Sequence, residues 1–433
     1  MFDNSGFASL DSPSSNRLQT IMEVTARTTT MLNDLTKWAD HLTHWMSRSA
    51  LPLWLEQGFD AETGSAHERL DDKGHADLAC PKRVRVQARQ MFVLASAQQR
   101  GWITDGAARV ERLDTFTSRF ATHPQAPDVF VHVLSADNEI SDARQDVYDM
   151  AFFLLACAWR FRAFGDASAL RKADALTRHL DNYIKGPRGG WLEGDYDSKA
   201  RRQNPHMHLF EAFIALYDAT RDGRWLARAG EIFTLFENCF YDAEHGVLLE
   251  YFHQDWRPLS GDEGQEVEPG HMLEWVWLLH QYHHRSGAPV RRYTDRLYQS
   301  AIDHGLESHT GLLYDAIALD GTPLKTTKRC WPLTELIKAS LCQAEAGSEL
   351  AETQAARAIQ TLFKYYFSNE IPGLYIDQLD GANQILNGKA PASTLYHLMV
   401  ATTEAADYAA AKRLKLRAEH VPAPSAHLSS NSL

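Results

Sequence analysis

The chain has 433 residues, a formal charge of −12 and 44% hydrophobic residues, an ordinary globular composition. The negative charge argues against nucleic acid or an anionic membrane surface as a partner, and no apolar run approaches the roughly 20 residues of a membrane span. Five cysteines, Cys80, Cys157, Cys239, Cys330 and Cys342, form no CxxC pair and are odd in number, which fits reduced thiols in a cytoplasm better than disulfides or a zinc framework.

Residues 1–17 read as a Ser-rich, disordered tail without the apolar core of a secretory signal, 413–433 as a second tail, and 18–412 as one domain between them. A chain this long exceeds the usual single core, but a ring of repeated helical units can grow past that limit. Helical periodicity marks twelve segments: 20–47, 83–100, 105–121, 146–165, 168–185, 206–220, 223–240, 271–286, 288–304, 332–346, 350–367 and 391–410. The longer loops carry related text: GFDAETG from Gly58, FVHVLSADN from Phe130, GWLEGDYD from Gly190, GVLLEYFHQD from Gly246, GLLYDAIALDG from Gly311 and GLYIDQLDG from Gly373. Each has a short alternating apolar run with a turn-forming Asp or Gly, which predicts a small hairpin.

Five of the helices that follow these loops have Pro81, Pro205, Pro269, Pro332 or Pro391 at or just before the first turn, where the missing N–H has no helical partner to lose. The sixth is preceded by Ser141 and Asp142, read as capping residues. Helix pairs recurring about every 60 residues, separated by six loops of one kind, predict an all-α (α/α)6 toroid. Six inner helices then line a central cavity, six outer helices pack around them, and the hairpins sit at the pocket mouth.

Near the start of each inner helix stands a large polar residue in apolar surroundings: Arg89, Tyr148, His208, His271, Glu335 and His397, separated by 59, 60, 63, 64 and 62 residues. A single such residue is commonly a core polar group satisfied by the backbone. Six at one phase are not, because each unpaired buried polar group costs about 1–3 kcal/mol. Helical spacing adds Asn204 to the face of His208, Trp331 to that of Glu335 and Glu274 to that of His271. Asn204 also reads as an N-cap before Pro205, and Glu274 as a partner that raises the pKa of His271. Glu211 is expected to face another helix or solvent. His206 and His208 point to different sides of their helix, and no HExxH motif, cysteine ligand set or phosphate-binding glycine loop occurs, so no metal and no cofactor are expected.

The segments QNPHMHLFEA, EPGHMLEW, RCWPLTELIKA, QARQ and TLYH resemble the N-acylglucosamine 2-epimerase family, over about residues 30 to 410. That family also includes bacterial mannose isomerases, mannose-6-phosphate isomerase-like proteins, cellobiose 2-epimerases and sulfoquinovose isomerases. The resemblance implies an (α/α)6 barrel and metal-independent 1,2-proton chemistry on a monosaccharide. It implies His271 and His397 as the catalytic acid/base pair, with Arg89, Tyr148, Asn204, His208, Glu274, Trp331 and Glu335 binding substrate.

Isomerising an aldose requires ring opening, removal of the C2 proton and its return to C1 through a cis-enediol. A histidine base suits that transfer near neutral pH. The expected assignment gives His397 the carbon-bound proton and His271 the ring-oxygen and hydroxyl protons, with the reverse as the alternative and Arg89 stabilising the enediolate. The short EPGHMLEW favours D-mannose and D-fructose as the substrate pair; 2-epimerisation and mannose 6-phosphate are the alternatives. Lys82, Arg83, Arg85, Lys199, Arg201, Arg202, Lys325, Lys328 and Arg329 precede inner helices, either as solvated loop residues or as a phosphate or sulfonate site. A two-carboxylate glycosidase, drawing on Glu274 and Glu335, and a non-catalytic sugar-binding protein are the rival classes. The partners expected are a small sugar and, through outer helices, a second copy of the chain.

Overall fold

The computed structural model describes residues 35–368 and 370–419. The expected N-terminal tail, the start of the first helix and residues 420–433 lie outside them. Among the described residues there are twelve long helices: α1 (35–57), α2 (Val84–Gln99), α3 (Gly106–Phe116), α4 (Val147–Phe164), α5 (Ala167–His179), α6 (Gln203–Thr220), α7 (Gly223–Leu235), α8 (Pro269–Ser286), α9 (Arg291–Ser300), α10 (Trp331–Glu345), α11 (Glu349–Tyr365) and α12 (Ala392–Glu419).

The division into two layers follows from side-chain character. In α4, apolar residues cover nearly the whole surface from Val147 to Ala158, and the helix is buried on all sides. In α9 only Tyr293, Thr294, Leu297 and Ser300 are buried, a one-sided stripe that suits an outer helix. The even-numbered helices form the inner ring, each packed on the next, and α12 returns onto α2 to close it. Where α6 meets α8, Phe210 and Trp275 stack with centroids 5.4 Å apart. Such a pair adds about 0.5–1.5 kcal/mol beyond the area it buries.

Several boundaries differ from expectation. Five outer helices, α1, α3, α5, α7 and α9, contain or run into a π turn, at Met46–Ala50, Thr117–Ala121, Leu180–Ile184, Phe236–Phe240 and Ala301–Gly305. In α1 the turn changes register just ahead of Pro52, so the helix continues to Gln57 rather than ending at 47. The last helix runs to Glu419, beyond the expected boundary at 412. The cap of α4 is Asp146, whose carboxylate accepts from the backbone N–H of Tyr148 and Asp149; Ser141 and Asp142 belong to a strand instead.

Hairpins do form in the loops, for instance Tyr241–Asp242 with Val247–Leu248 and Ala316–Ile317 with Pro323–Lys325. A second pattern at the mouth links successive repeats. The residues just before each inner helix pair antiparallel with the loop of the next repeat: Lys82–Arg83 with Val133–Leu134, Asp146 with Gly194, Arg201–Arg202 with Tyr251–Phe252, Val267 with Ile317, Lys328–Arg329 with Gln378–Leu379, and Ala390–Pro391 with Arg69–Leu70. These six links close the ring at the mouth as the helices close it below, and they hold every inner-helix N-terminus at one level.

Candidate active site

At that level lies a cavity of 330 Å³, near the lower end of the roughly 300–1,000 Å³ usual for small-molecule sites. Arg89, Tyr148, Asn204, His208, His271, Glu274, Trp331 and His397 all line it. Glu335 does not: it is fully buried behind His397 and orients that ring rather than meeting a ligand. The cavity also takes in Arg83 and Arg329, two members of the basic set read from the sequence, and Glu268, Asp377, Ser393 and Thr394, which the sequence did not single out.

The Trp331 indole lies between the two histidines, 5.2 Å from the His271 ring and 5.4 Å from that of His397, centroid to centroid. Gly270 makes room for it, since a Cβ there would stand 2.5 Å from the indole edge. An apolar ring face between two imidazoles suits a sugar, which offers C–H groups to the indole and hydroxyls to the nitrogens.

His397 Nδ1–H donates to Glu335 Oε1 at 2.9 Å, which leaves the Nε2 lone pair for the cavity. Burial pushes this imidazole down, Arg89 and Lys338 add to the effect, and Glu335 opposes it only in part, so the pKa falls to about 4. Glu335 is itself held ionised by Lys338, 2.5 Å away and fully buried. His397 is therefore neutral at pH 7 and able to accept a proton.

His271 is the opposite case. Burial alone would lower its pKa, but Glu250 and Glu268 overcome that and hold it at about 10. Its Nδ1 lies 3.0 and 3.1 Å from the two oxygens of Glu250 and 3.7 Å from Glu268. Its Nε2 lies 3.2 Å from the side-chain amide of Asn204. The atom facing Nε2 is Asn204 Nδ2, whereas a doubly protonated ring donates from both nitrogens; a flip of the amide that exchanges Nδ2 for the unpartnered Oδ1 satisfies both groups. Asn204 is not the N-cap, which is Arg202; it sits inside the first turn of α6. Glu274, expected to pair with His271, lies nearer His208 and Glu335, and burial together with Glu335 holds it well above the usual carboxylate range.

Arg89 donates to the Tyr148 hydroxyl at 2.7 Å and to the Ser393 carbonyl at 3.2 Å, with its guanidinium 4.0 Å from the Phe152 ring centroid. No ion pair joins it to a carboxylate among the described residues, so its charge remains available to the cavity. His208 is lowered to about 4 by burial, against the pull of Glu211 at 3.2 Å. Of the two places expected for Glu211, another helix or solvent, the structure shows the first: it is buried beside His208 and accepts from the Tyr396 hydroxyl, linking α6 to α12.

Glu250 carries the largest effect that the sequence did not single out, and the loop repeat holds the signal for it. Glu68, Glu193 and Asp315 each stand just before a bridging residue or strand and accept from the backbone N–H of an arginine ahead of the next inner helix: Arg83 at 2.9 Å, Arg202 at 2.7 Å and Arg329 at 2.8 Å. Glu250 holds the same place in GVLLEYF, but the residue before α8 is Glu268 rather than arginine. Its carboxylate turns to His271 instead.

Three groups, Glu250/Glu268/His271, His208/Glu211/Glu274 and Glu274/Glu335/His397, bring ligand atoms within 4.8 Å of one another. A divalent cation could use that composition; here Glu250, Glu211 and Glu335 are engaged with the histidines in the hydrogen bonds just described, while Glu274 Oε1 has no hydrogen-bond partner among the described residues.

A closed (α/α)6 barrel with two histidines across an aromatic platform defines the class, a sugar isomerase or epimerase. Residues 64–401 match the N-acylglucosamine 2-epimerase (GlcNAc 2-epimerase) family, and the chain belongs to it. It is similar to a mannose-6-phosphate isomerase of Rhizobium meliloti (strain 1021), 34% identical over 384 residues, covering 86% of this chain and 98% of that one. A D-mannose isomerase of Thermobifida fusca is 26% identical over 278 residues, covering 58% and 67%. Among solved structures, a D-mannose isomerase superposes with a TM-score of 0.76 at 21% identity, covering 86% of this chain and 97% of that one. Among the described residues no helix is long and apolar enough to cross a membrane.

Proposed function

We propose that the protein is an aldose–ketose isomerase that interconverts D-mannose and D-fructose, or a close analogue, by 1,2-proton transfer with His397 and His271 as the catalytic pair. One observation carries the reading: two imidazoles on either side of one indole have pKa values pushed in opposite directions, to about 4 and about 10. Environments that separate two titratable groups in this way assign base and acid.

The pyranose opens as His271 protonates the ring oxygen and, then neutral, takes the proton from O1, which regenerates the acid. The regenerated acid then serves the open chain. His397 Nε2 takes the C2 proton while the C1 carbonyl oxygen receives one from His271, giving a neutral cis-enediol. His271, now neutral, removes the O2 proton as His397 returns its proton to C1, and both residues end as they began. Arg89, held by Tyr148 and Ser393, stabilises the negative charge that develops on O1 and O2 while the protons are in transfer. Asn204 and Glu274 place the hydroxyls, and Trp331 holds the sugar face.

Epimerisation shares the first half of this path and differs in returning the proton to C2 from the opposite face. Incubation with D-mannose in deuterated water, read by NMR, separates them. Fructose labelled at C1 is expected, whereas glucose labelled at C2 without fructose would replace the isomerase reading with an epimerase one.

A further inference from the structure

Beside the axial cavity lies a second one of 380 Å³, and Arg83, Arg89, Tyr148 and Asn204 line both. The second cavity adds Arg85, Arg144, Arg202 and His132, so five guanidinium groups face one space against a single carboxylate, Asp146. In a chain with a net charge of −12 this concentration runs against the composition.

The forks are fixed in place. Glu68 holds Arg83 at 2.5 Å, Asp149 holds Arg85 at 2.8 Å, Asp142 holds Arg144 at 2.7 Å and Glu193 holds Arg202 at 2.6 Å. None of these carboxylates lines the cavity, and each engages only part of a five-donor fork. Arg89 has no carboxylate partner among the described residues. The oxygens of Asp146 are already used: one accepts from the N–H of Tyr148 and Asp149, the other from the Tyr196 hydroxyl at 2.8 Å. His132 hydrogen-bonds Asp149, which raises its pKa against the effect of burial.

Other basic residues in the same segments serve the fold. Arg201 donates to the carbonyls of Pro187, Gln254, Gly189 and Trp191, Lys82 to Ala136 and Asn138, Lys325 to Glu266, and Lys328 pairs with Glu307. The arginines left facing the cavity are therefore a selected set.

Pre-oriented guanidinium forks match an oxyanion with several acceptor oxygens better than they match hydroxyls. We propose that the arginine cavity is an anion subsite for the phosphate of a hexose 6-phosphate, whose C1 and C2 lie between His271 and His397. The proposal rests on the isomerase reading above. The reacting carbons and the phosphate are opposite ends of one molecule, and four residues common to both linings put the two cavities side by side, within reach of such a molecule.

The test has two parts. Isothermal titration of the full chain with inorganic phosphate at low salt is expected to show binding that weakens at least tenfold in Arg144→Gln and in Arg202→Gln. Arg144 is the safer variant for folding, because its side chain is 46% exposed and its partner is not deeply buried. In turnover assays the wild type is expected to show a higher kcat/KM for mannose 6-phosphate than for mannose, by tenfold or more, and the variants to lose that preference. Equal kcat/KM for the two sugars overturns the proposal, and phosphate binding without such a preference reduces the site to an adventitious anion only. If mannose turns over and phosphate does not bind, the subsite falls and the isomerase reading stands. If phosphate binds with the variants' loss but neither sugar is isomerised, the isomerase reading fails and the anion site stands.

Discussion

His271 and His397 are equally buried and flank the same indole, yet their surroundings drive them apart. Behind His271 stand Glu250 and Glu268, and among the described residues neither forms an ion pair with a lysine or arginine. Behind His397 stands Glu335, whose charge Lys338 shares from within the barrel, while nearby Glu274 is held well above the usual carboxylate range. Burial disfavours the charged form of both rings, so the charges behind each decide the outcome. Glu250 and Glu268 together hold a proton on His271; Glu335, paired with a lysine, does not hold one on His397. The polar residue at one level of a repeat can thus be identical, while the residues behind it set its role.

The largest effect expected from breaking this pair is in His397→Ala, which removes the proposed base. Its kcat should fall by about 10²–10⁴-fold, the usual worth of a positioned general base. The same variant should retain the label of a C2-deuterated substrate, and exchange at the wild-type rate would remove His397 from the carbon-bound step. Next in size is Glu250→Gln, which keeps the shape and deletes one of the charges behind His271. The alkaline limb of the pH–rate profile should move toward neutrality, with activity at alkaline pH lower by about tenfold or more. An unmoved limb would mean that Glu250 does not hold that proton.

Gly270→Ala tests the platform between the two rings. Overpacking of this kind costs about 1–3 kcal/mol, and the displaced indole should raise KM more than it lowers kcat. A crystal structure with Trp331 unmoved and unchanged kinetics would contradict this. The smallest effect is on stability. Between pH 6.5 and about 4 the unfolded chain binds protons that buried His397 and His208 refuse, so stability falls as pH drops through that window. Between 6.5 and about 10 folded His271 keeps a proton that the unfolded chain releases, so its contribution is lost as pH rises. Thermal melting across pH should therefore peak near neutrality and decline on both sides.

The ring and the pocket lining were legible because both follow from a period of about 60 residues and the 3.6-residue turn, which are local properties of the text. The outcome for Glu335, Glu211 and Glu250 was not. Glu335 lies at the expected level, but whether it meets the ligand or the back of His397 depends on a helix 62 residues away. Glu211 is three residues from His208, and its inward turn is fixed by Tyr396 on the last helix. Glu250 sits in a loop, outside any helical period, and acts on a residue 21 positions later. The links between repeats at the mouth were likewise hidden, because two-residue strands carry too little pattern to show their partners.

The central claim is that one pocket holds one histidine charged and the other neutral at the same pH. Ring-nitrogen NMR of the two imidazoles in the folded protein, assigned with His271→Gln and His397→Gln and titrated from about pH 5 to about pH 9, reads this directly. The account predicts that His271 stays doubly protonated across the range and that His397 keeps a single ring proton throughout. Both rings titrating together near their ordinary value, or the two assignments reversed, would contradict it.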